Sequence, residues 1–163
     1  MQAANLSNTN SMGIEEYWNS FLATLPSDSP YRGRTYVAEG FGDHPELADE
    51  LGALVVSGIK TGTCSSLWEW QAEGNPIPEI GLLTVVLSGA GNPICIIETT
   101  EVTQRRFNEV EDDFAHSEGE GDRTLRYWRD AHTTYFSRVL PKIGRQFSED
   151  MPLVCERFQV IYK

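Results

Sequence analysis

The chain has 163 residues and carries 13 Lys and Arg against 24 Asp and Glu, which gives a net charge of −11 at pH 7. This length predicts a single core, and the negative charge excludes a protein that binds a DNA duplex through a broadly basic surface. Hydrophobic residues make up 40% of the chain, yet its longest apolar runs are far too short to span a bilayer. We therefore expect a cytoplasmic protein without a membrane partner or a secretory signal.

The N-terminal third predicts a short tail followed by a helix. Met1–Ser11 is polar, which predicts a disordered tail and leaves residues 12–163 as one domain. Apolar side chains then recur at helical spacing over Ile14–Leu25, and a proline follows. The aromatic stripe of this helix is predicted to lie in the core. A short strand is expected around Thr35–Ala38.

The middle of the chain changes from helical to extended patterning. A second helix is predicted with Asp43 as its N-cap and Gly58 at its end. Strands are expected at Thr63–Trp70, Leu82–Ser88 and Ile94–Val102 because apolar and β-branched residues dominate these segments, which turn-forming residues separate.

The last third predicts one long helix and a closing strand. Arg123–Val139 has an apolar face that includes His132, with Asp122 as its N-cap. A histidine in such a stripe is more often a hydrogen-bonded core residue than a catalytic one. Apolar residues alternate near the C-terminus, which predicts a strand. Helices around a run of short strands predict an α+β fold with a small curled sheet or a partly closed barrel.

Cysteine and histidine usage gives no metal signature. The three cysteines form no CxxC pair and the three histidines no HExxH helix. We expect reduced thiols and neither a metal nor a cofactor.

Charge is divided sharply in the second half. Glu109–Asp122 contains seven acidic residues and no basic one, whereas Arg123–Arg145 contains six basic residues and one acidic residue. A solvated helix matched to its own macrodipole explains this pattern as well as a binding surface does. If the surface binds RNA, its phosphate contacts would come from Arg126 and Arg129 together with Arg105.

Two short segments carry chemistry-bearing residues. Gly58–Thr63 has a lysine and a threonine three residues apart between glycines, which let a ligand approach the backbone closely. The order of Gly and Lys does not match a phosphate-binding P-loop, and a surface turn is the alternative interpretation. Glu118–Asp122 alternates acids and glycines before the helix, so Glu118 and Glu120 could bind a cation, cap the helix or supply a general acid.

Both segments, followed by Tyr127-Trp128-Arg129, His132 and Tyr135-Phe136, resemble the longer branch of the ASCH domain family. The resemblance extends from about Glu39 to Lys163. It implies a small PUA-like β-barrel flanked by helices, with a cleft into which the lysine segment and the acidic segment both project.

Activities in that family differ, and the resemblance implies several. A short bacterial branch hydrolyses the amide of acetylcytidine with a Lys, a Thr and a Glu, another member is described as a ribonuclease, and many are regarded as RNA-related. By resemblance the triad falls on Lys60, Thr63 and Glu118. That branch has an arginine where this chain has Ser65, which weakens the assignment of acetylcytidine as substrate.

Two hypotheses follow for function. The first and preferred one is a module that binds single-stranded RNA, RNA ends or a nucleoside, and the second is a hydrolase of an acetylated cytidine or a related amide. Trp68 could stack on a base, although core packing is its more frequent role. A ribonuclease and an interaction domain with no nucleic-acid partner are further alternatives. For catalysis the pKa of Lys60 must fall from about 10.4 to about 7–8, which a nearby Glu118 carboxylate opposes.

Overall fold

A computed structural model describes residues 12–163, so the predicted tail at Met1–Ser11 lies outside the described residues. The helices are α1 (Ile14–Ala23), α2 (Pro45–Val56), α3 (Leu67–Glu73), α4 (Asp112–Glu118) and α5 (Leu125–Val139). The strands are β1 (Val37–Glu39), β2 (Gly62–Ser66), β3 (Leu83–Leu87), β4 (Pro93–Arg106) and β5 (Pro152–Tyr162). Short 3₁₀ helices follow β4 and α5. None of the helices in this range is long and apolar enough to cross a membrane.

The five strands form one mixed sheet in the order β1-β3-β4-β5-β2. Strand β1 runs parallel to β3, and all other neighbours are antiparallel. Register shifts in the long β4–β5 pair, at Ile96/Ile97 and Thr99/Glu101, bend these strands. The sheet therefore curls into a half-barrel, with β1 and β2 at its two edges. This confirms the predicted α+β fold with a curled sheet.

The core lies on both sides of the sheet. Helix α1 buries Trp18 and Phe21 against β3 and β4, which confirms that its aromatic stripe belongs to the core. Helix α5 buries Trp128 and Phe136 in a second cluster with α4 and the start of β5. The long helix and the closing strand are also confirmed.

The strand predicted at Thr63–Trp70 is wrong beyond Ser66. The Ser66 hydroxyl accepts a hydrogen bond from the backbone N–H of Trp68 at 3.2 Å and starts α3. Gly74 ends this helix in the left-handed conformation, at φ 68°. Two large aromatic residues favour a strand locally, but the cap at Ser66 decides the conformation.

Both predicted N-caps shift by one or two residues. The side chain of His44, rather than Asp43, accepts a hydrogen bond from the backbone N–H of Leu47. Asp43 instead pairs with Arg138 of α5. At the other helix the Thr124 hydroxyl caps α5, because Arg123 adopts a left-handed conformation that the helix cannot include.

Candidate functional site

The segment after α2 crosses the end of α4 at close range. The backbone N–H of Thr61 donates to the carbonyl of Ser117 at 2.7 Å. Gly119 ends α4 at φ 74°, and a Cβ there would lie 2.7 Å from the Ile59 carbonyl oxygen and 2.9 Å from the Lys60 Cα. Only glycine permits this approach. The crossing brings the lysine segment and the acidic segment to one place.

Lys60 is buried at this crossing, with 1% of its surface exposed. Its Nζ donates to Glu118 Oε2 at 3.0 Å, to Glu120 Oε1 at 3.2 Å and to the Glu118 carbonyl oxygen at 3.3 Å. Burial lowers the pKa of Lys60, but the two carboxylates outweigh it, so the pKa is raised above its ordinary value. Lys60 is therefore a fixed ammonium group.

Contacts to both carboxylate oxygens of Glu118 stabilise its anionic form. Oε1 accepts from the Trp128 indole N–H at 3.0 Å and lies 3.6 Å from His132 Nε2. Burial raises the pKa of Glu118, but Lys60, His132 and Trp128 together bring it well below its usual range. A carboxyl group in this state does not supply a proton at neutral pH.

His132 belongs to the same cluster, which the sequence pattern did not indicate. Its ring stacks on Trp128 at 4.3 Å between centroids, and its Nδ1 lies 2.9 Å from the Trp128 carbonyl oxygen. A proton on Nδ1 makes that hydrogen bond, so a neutral ring would direct the Nε2 lone pair at Glu118. Burial lowers the pKa of His132, yet Glu118 raises it more, and the net shift is upward.

The cluster forms the floor of a cavity of about 290 Å³ between α2, α5 and β2. Its walls include apolar and aromatic side chains: Phe41, Leu47, Leu51, Tyr127, Ala131 and Tyr135. Its polar lining includes Lys60, Thr63, Cys64, Glu118, Glu120 and His132. At the rim, Arg138 donates two hydrogen bonds to Asp43, at 3.0 and 2.8 Å.

Thr63 lines this cavity but stands apart from the charged cluster. Its hydroxyl forms no hydrogen bond with Lys60 or Glu118, the two other residues of the predicted triad. It also lines a second hollow of about 40 Å³ inside the half-barrel, and Phe41 is shared in the same way. The two spaces are therefore adjacent.

The other predicted ligand-binding residues lie outside the cavity lining. Ser65 accepts from the Trp70 indole N–H at 2.8 Å, and Trp68 lies under the Arg145 guanidinium at 4.9 Å. Arg129 lines a separate shallow groove among acidic residues.

Gly58, Arg105 and Arg126 are also absent from the cavity lining. Gly58 turns the chain after α2 at φ 79°, and Arg105 lies over the Phe114 ring at 5.8 Å. Of the ten residues predicted for the site, the structure brings together only Lys60, Thr63, Glu118 and Glu120.

Cys64, Glu118 and His132 offer donor atoms within 4.8 Å of one another, a spacing that could suit a metal ion. The Lys60 ammonium already lies 3.0 Å from Glu118 and supplies the positive charge there. Burial, the largest cause, and Glu118 also raise the pKa of the Cys64 thiol well above its ordinary value, which opposes the thiolate that a metal needs. We therefore assign these residues to the ion-pair cluster.

Comparison with known proteins identifies the family. The model of the ASCH domain matches residues 37–162. An ASCH domain from Lactobacillus crispatus JV V101 is 36% identical, with a TM-score of 0.86 over 91% of this chain and 94% of that one. A protein from Enterococcus faecalis V583 is 38% identical, with a TM-score of 0.79 over 91% and 88% of the two chains. No curated protein matches. The chain belongs to the ASCH domain family and has its PUA-like fold.

Proposed function

We propose that the cavity binds one pyrimidine nucleoside or nucleotide, either free or at the end of an RNA strand. The carrying observation is the cavity itself, about 290 Å³ in volume with aromatic walls over a charged floor. Ligand pockets in proteins hold about 300–1,000 Å³, so this cavity suits a ligand at the small end of the range. A base with its sugar fits that size, whereas several stacked nucleotides do not.

The cavity lining provides both kinds of contact that a base requires. Phe41, Tyr127 and Tyr135 line the cavity as candidate stacking residues, with Lys60 5.6 Å from the Phe41 ring centroid and Arg138 5.5 Å from that of Tyr135. The three N–H groups of Lys60 are taken by Glu118 and Glu120, whereas the two carboxylates retain acceptor capacity for an exocyclic amine. A cytosine edge presents such an amine and complements these acceptors.

Three arginines on or beside α5 already have partners within the protein. Arg138 is paired with Asp43, and the guanidinium of Arg123, which precedes the helix, donates to the carbonyls of His116 and Ile59. Arg145, beyond the helix, stacks on Trp68. The Lys and Arg of the cavity lining, Lys60 and Arg138, are both paired with carboxylates, so an RNA ligand would be held mainly through its terminal nucleoside.

Calorimetric titration of the purified protein with cytidine, acetylcytidine, uridine and adenosine tests this function. We expect the pyrimidines to bind and Tyr135→Ala to weaken binding at least tenfold. Arg129→Ala, outside the cavity, should bind as the wild type does. A short RNA that ends in the preferred base should bind with an affinity that falls with salt concentration only as steeply as contact with about 1–2 phosphates predicts. Absence of nucleoside binding, or a steep salt slope with internal RNA sites, would contradict the proposal.

Hydrolysis of an acyl amide on the base is a second candidate. It is favoured by one observation: Lys60 and Thr63 line the same cavity, so a cation and a hydroxyl nucleophile face one ligand. Since Lys60 is charged, it cannot act as the base, and it would stabilise an oxyanion where that oxyanion displaces Glu120, the more exposed of its two carboxylate partners. Incubation with acetylcytidine, with chromatography to detect loss of the acetyl group, tests this candidate. A substrate that stays intact after prolonged incubation would exclude it.

A further inference from the structure

The hollow inside the half-barrel is lined by one polar side chain from each of the five strands. These are Glu39, Thr63, Thr84, Thr99 and Glu156, in chain order from β1 to β5. Interiors of small barrels are usually filled with apolar side chains, and buried hydroxyl groups cost stability unless they are bonded. Thr84 and Thr99 are nevertheless buried, at 5% and 2% exposure. This polar lining has no role in the ion-pair cluster of the larger cavity.

Thr63 and Glu156 are direct neighbours in this hollow. They face each other in the antiparallel register of β2 and β5, so their side chains project from the same face of the sheet. Such pairs have Cβ atoms about 4.5–5.5 Å apart, so a side-chain rotation can bring the Thr63 hydroxyl to the Glu156 carboxyl, although the structure shows no hydrogen bond between these two groups. The Thr99 hydroxyl donates to Glu156 Oε1 at 3.3 Å and orients the group.

We propose that Glu156 is the general base that accepts the proton of the Thr63 hydroxyl when Thr63 attacks the acyl carbon of a ligand in the adjacent cavity. The inference rests on the second candidate function, hydrolysis of an acyl amide. It replaces the lysine base that the resemblance implies. Lys60 cannot fill that role because two carboxylates hold it as an ammonium.

The reaction balances with water as the only co-reactant. Thr63 Oγ1 bonds to the acyl carbon, its proton moves to Glu156, and the oxyanion takes the place of the Glu120 carboxylate, the more exposed partner of Lys60, at the ammonium group. The bond from carbon to the exocyclic nitrogen breaks, and Glu156 returns the proton to the leaving amine. Water then attacks the Thr63 ester, gives its proton to Glu156 and releases the carboxylic acid, and Thr63 regains its hydrogen.

The surroundings of Glu156 suit proton exchange near neutral pH. Burial raises the pKa of Glu156 most, the Thr99 hydrogen bond lowers it, and the charge of Glu39 on β1 raises it again, to about 7. Glu39 is the titratable group that shares the hollow, and within residues 12–163 no cation forms an ion pair with Glu156. A base of this pKa is half ionised at the pH where it has to act.

Steady-state hydrolysis of acetylcytidine by the wild type and by Glu156→Gln tests the assignment. We expect kcat to fall at least 100-fold with KM changed less than threefold, since Glu156 acts on Thr63 and not on the bound base. Glu101→Gln, which removes an exposed carboxylate from β4, should keep the wild-type rate. Mass spectrometry should detect an acetyl group on Thr63 during turnover and none in Thr63→Val.

The pH profile provides a readout that a structural role would not move. We expect wild-type kcat to rise with pH through about 7, and Glu156→Asp to retain a measurable rate with a shifted midpoint. If Glu156→Gln does not fold, the pH profiles of the wild type and of Glu156→Asp decide whether Glu156 is the general base. Turnover unaffected in Glu156→Gln would overturn this inference and leave hydrolysis standing. A protein that binds nucleosides but leaves acetylcytidine intact would overturn the inference and leave the binding function standing.

Discussion

Two carboxyl groups in adjacent cavities have opposite environments. Glu118 lies among Lys60, His132 and Trp128, and its pKa is held far below the usual range because these groups outweigh the effect of burial. Glu156 lies among threonine hydroxyls, without a cation partner among residues 12–163, and burial is the main cause that raises its pKa to about 7. Carboxyl groups whose pKa values are driven apart in this way commonly have separate tasks.

The difference teaches how the site divides its work. A permanently charged cluster can orient a ligand and stabilise developing charge, but it cannot exchange protons. A carboxyl group whose pKa is near 7 can exchange protons, but it contributes little permanent charge to the electric field of the site. Protein stability reports on the charge in each environment independently of any ligand and therefore tests this contrast.

The largest effect is expected for Lys60→Met. This substitution removes the ammonium and leaves Glu118 buried without its main partner, which should lower the free energy of unfolding by about 3–5 kcal/mol. Urea denaturation measures the change. Lys60→Met combined with Glu118→Gln should recover part of the loss, because the double variant buries no unpaired anion. A loss below about 1 kcal/mol in the single variant would contradict the ion-pair assignment.

The backbone crossing that positions Glu118 gives the next effect. Gly119→Ala should destabilise by about 3 kcal/mol, since it combines a left-handed conformation with a clash against the backbone of Ile59 and Lys60. Gly74→Ala is a matched control, because Gly74 ends α3 at φ 68° with no atom within 4 Å of the added Cβ. The control should lose only about 1 kcal/mol. Equal losses in thermal denaturation would show that the crossing is not tight.

Glu156→Gln should change how stability depends on pH. The folded pKa of Glu156 is raised, so its contribution is fully present below its unfolded value and is lost as pH rises through about 7. We therefore expect the variant to match the wild type near pH 4.5 and to be more stable by about 2 kcal/mol at pH 8, after allowance for partial exposure. Glu118 has the opposite sign, because its lowered pKa makes its contribution disappear as pH falls. A difference that does not vary with pH would refute the assignment.

The smallest effect is expected at the cavity rim. Arg138→Met removes the exposed pair with Asp43 and should cost about 0.5–1 kcal/mol, far less than removal of the buried lysine. The loss should shrink in 1 M salt, whereas the loss in Lys60→Met should hardly change, because buried charges are poorly screened. Urea denaturation at both salt concentrations makes the comparison.

Local signals predicted much of the fold. The helical spacing after Ile14, the apolar spacing and final glycine of α2 and the alternation in β5 are properties of short segments, and the structure confirms each element. Helix α3 had a signal that the prediction missed: Ser66 and Glu69 have the spacing of a capping box. Helix α4 was not predicted because its acidic residues resemble those of a solvated loop, although Gly119 marks its end.

The site depends on contacts between distant parts of the chain, and so only part of it was predictable. The motifs indicated Lys60 and Glu118, but not that two carboxylates would hold the lysine as an ammonium. His132 followed the apolar stripe of α5, and its partner lies on another helix. Glu156 carries no local signal, because only the β2–β5 register places it opposite Thr63.

The glycine crossing also constrains how the site can diversify. The charged floor depends on two backbone segments in contact at Gly119, so a substitution that separates them costs the fold itself. The walls are single side chains such as Leu47, Tyr127 and Tyr135, which can be exchanged one at a time. Ligand preference in an engineered version of this scaffold should therefore be sought in the walls, with the floor left intact.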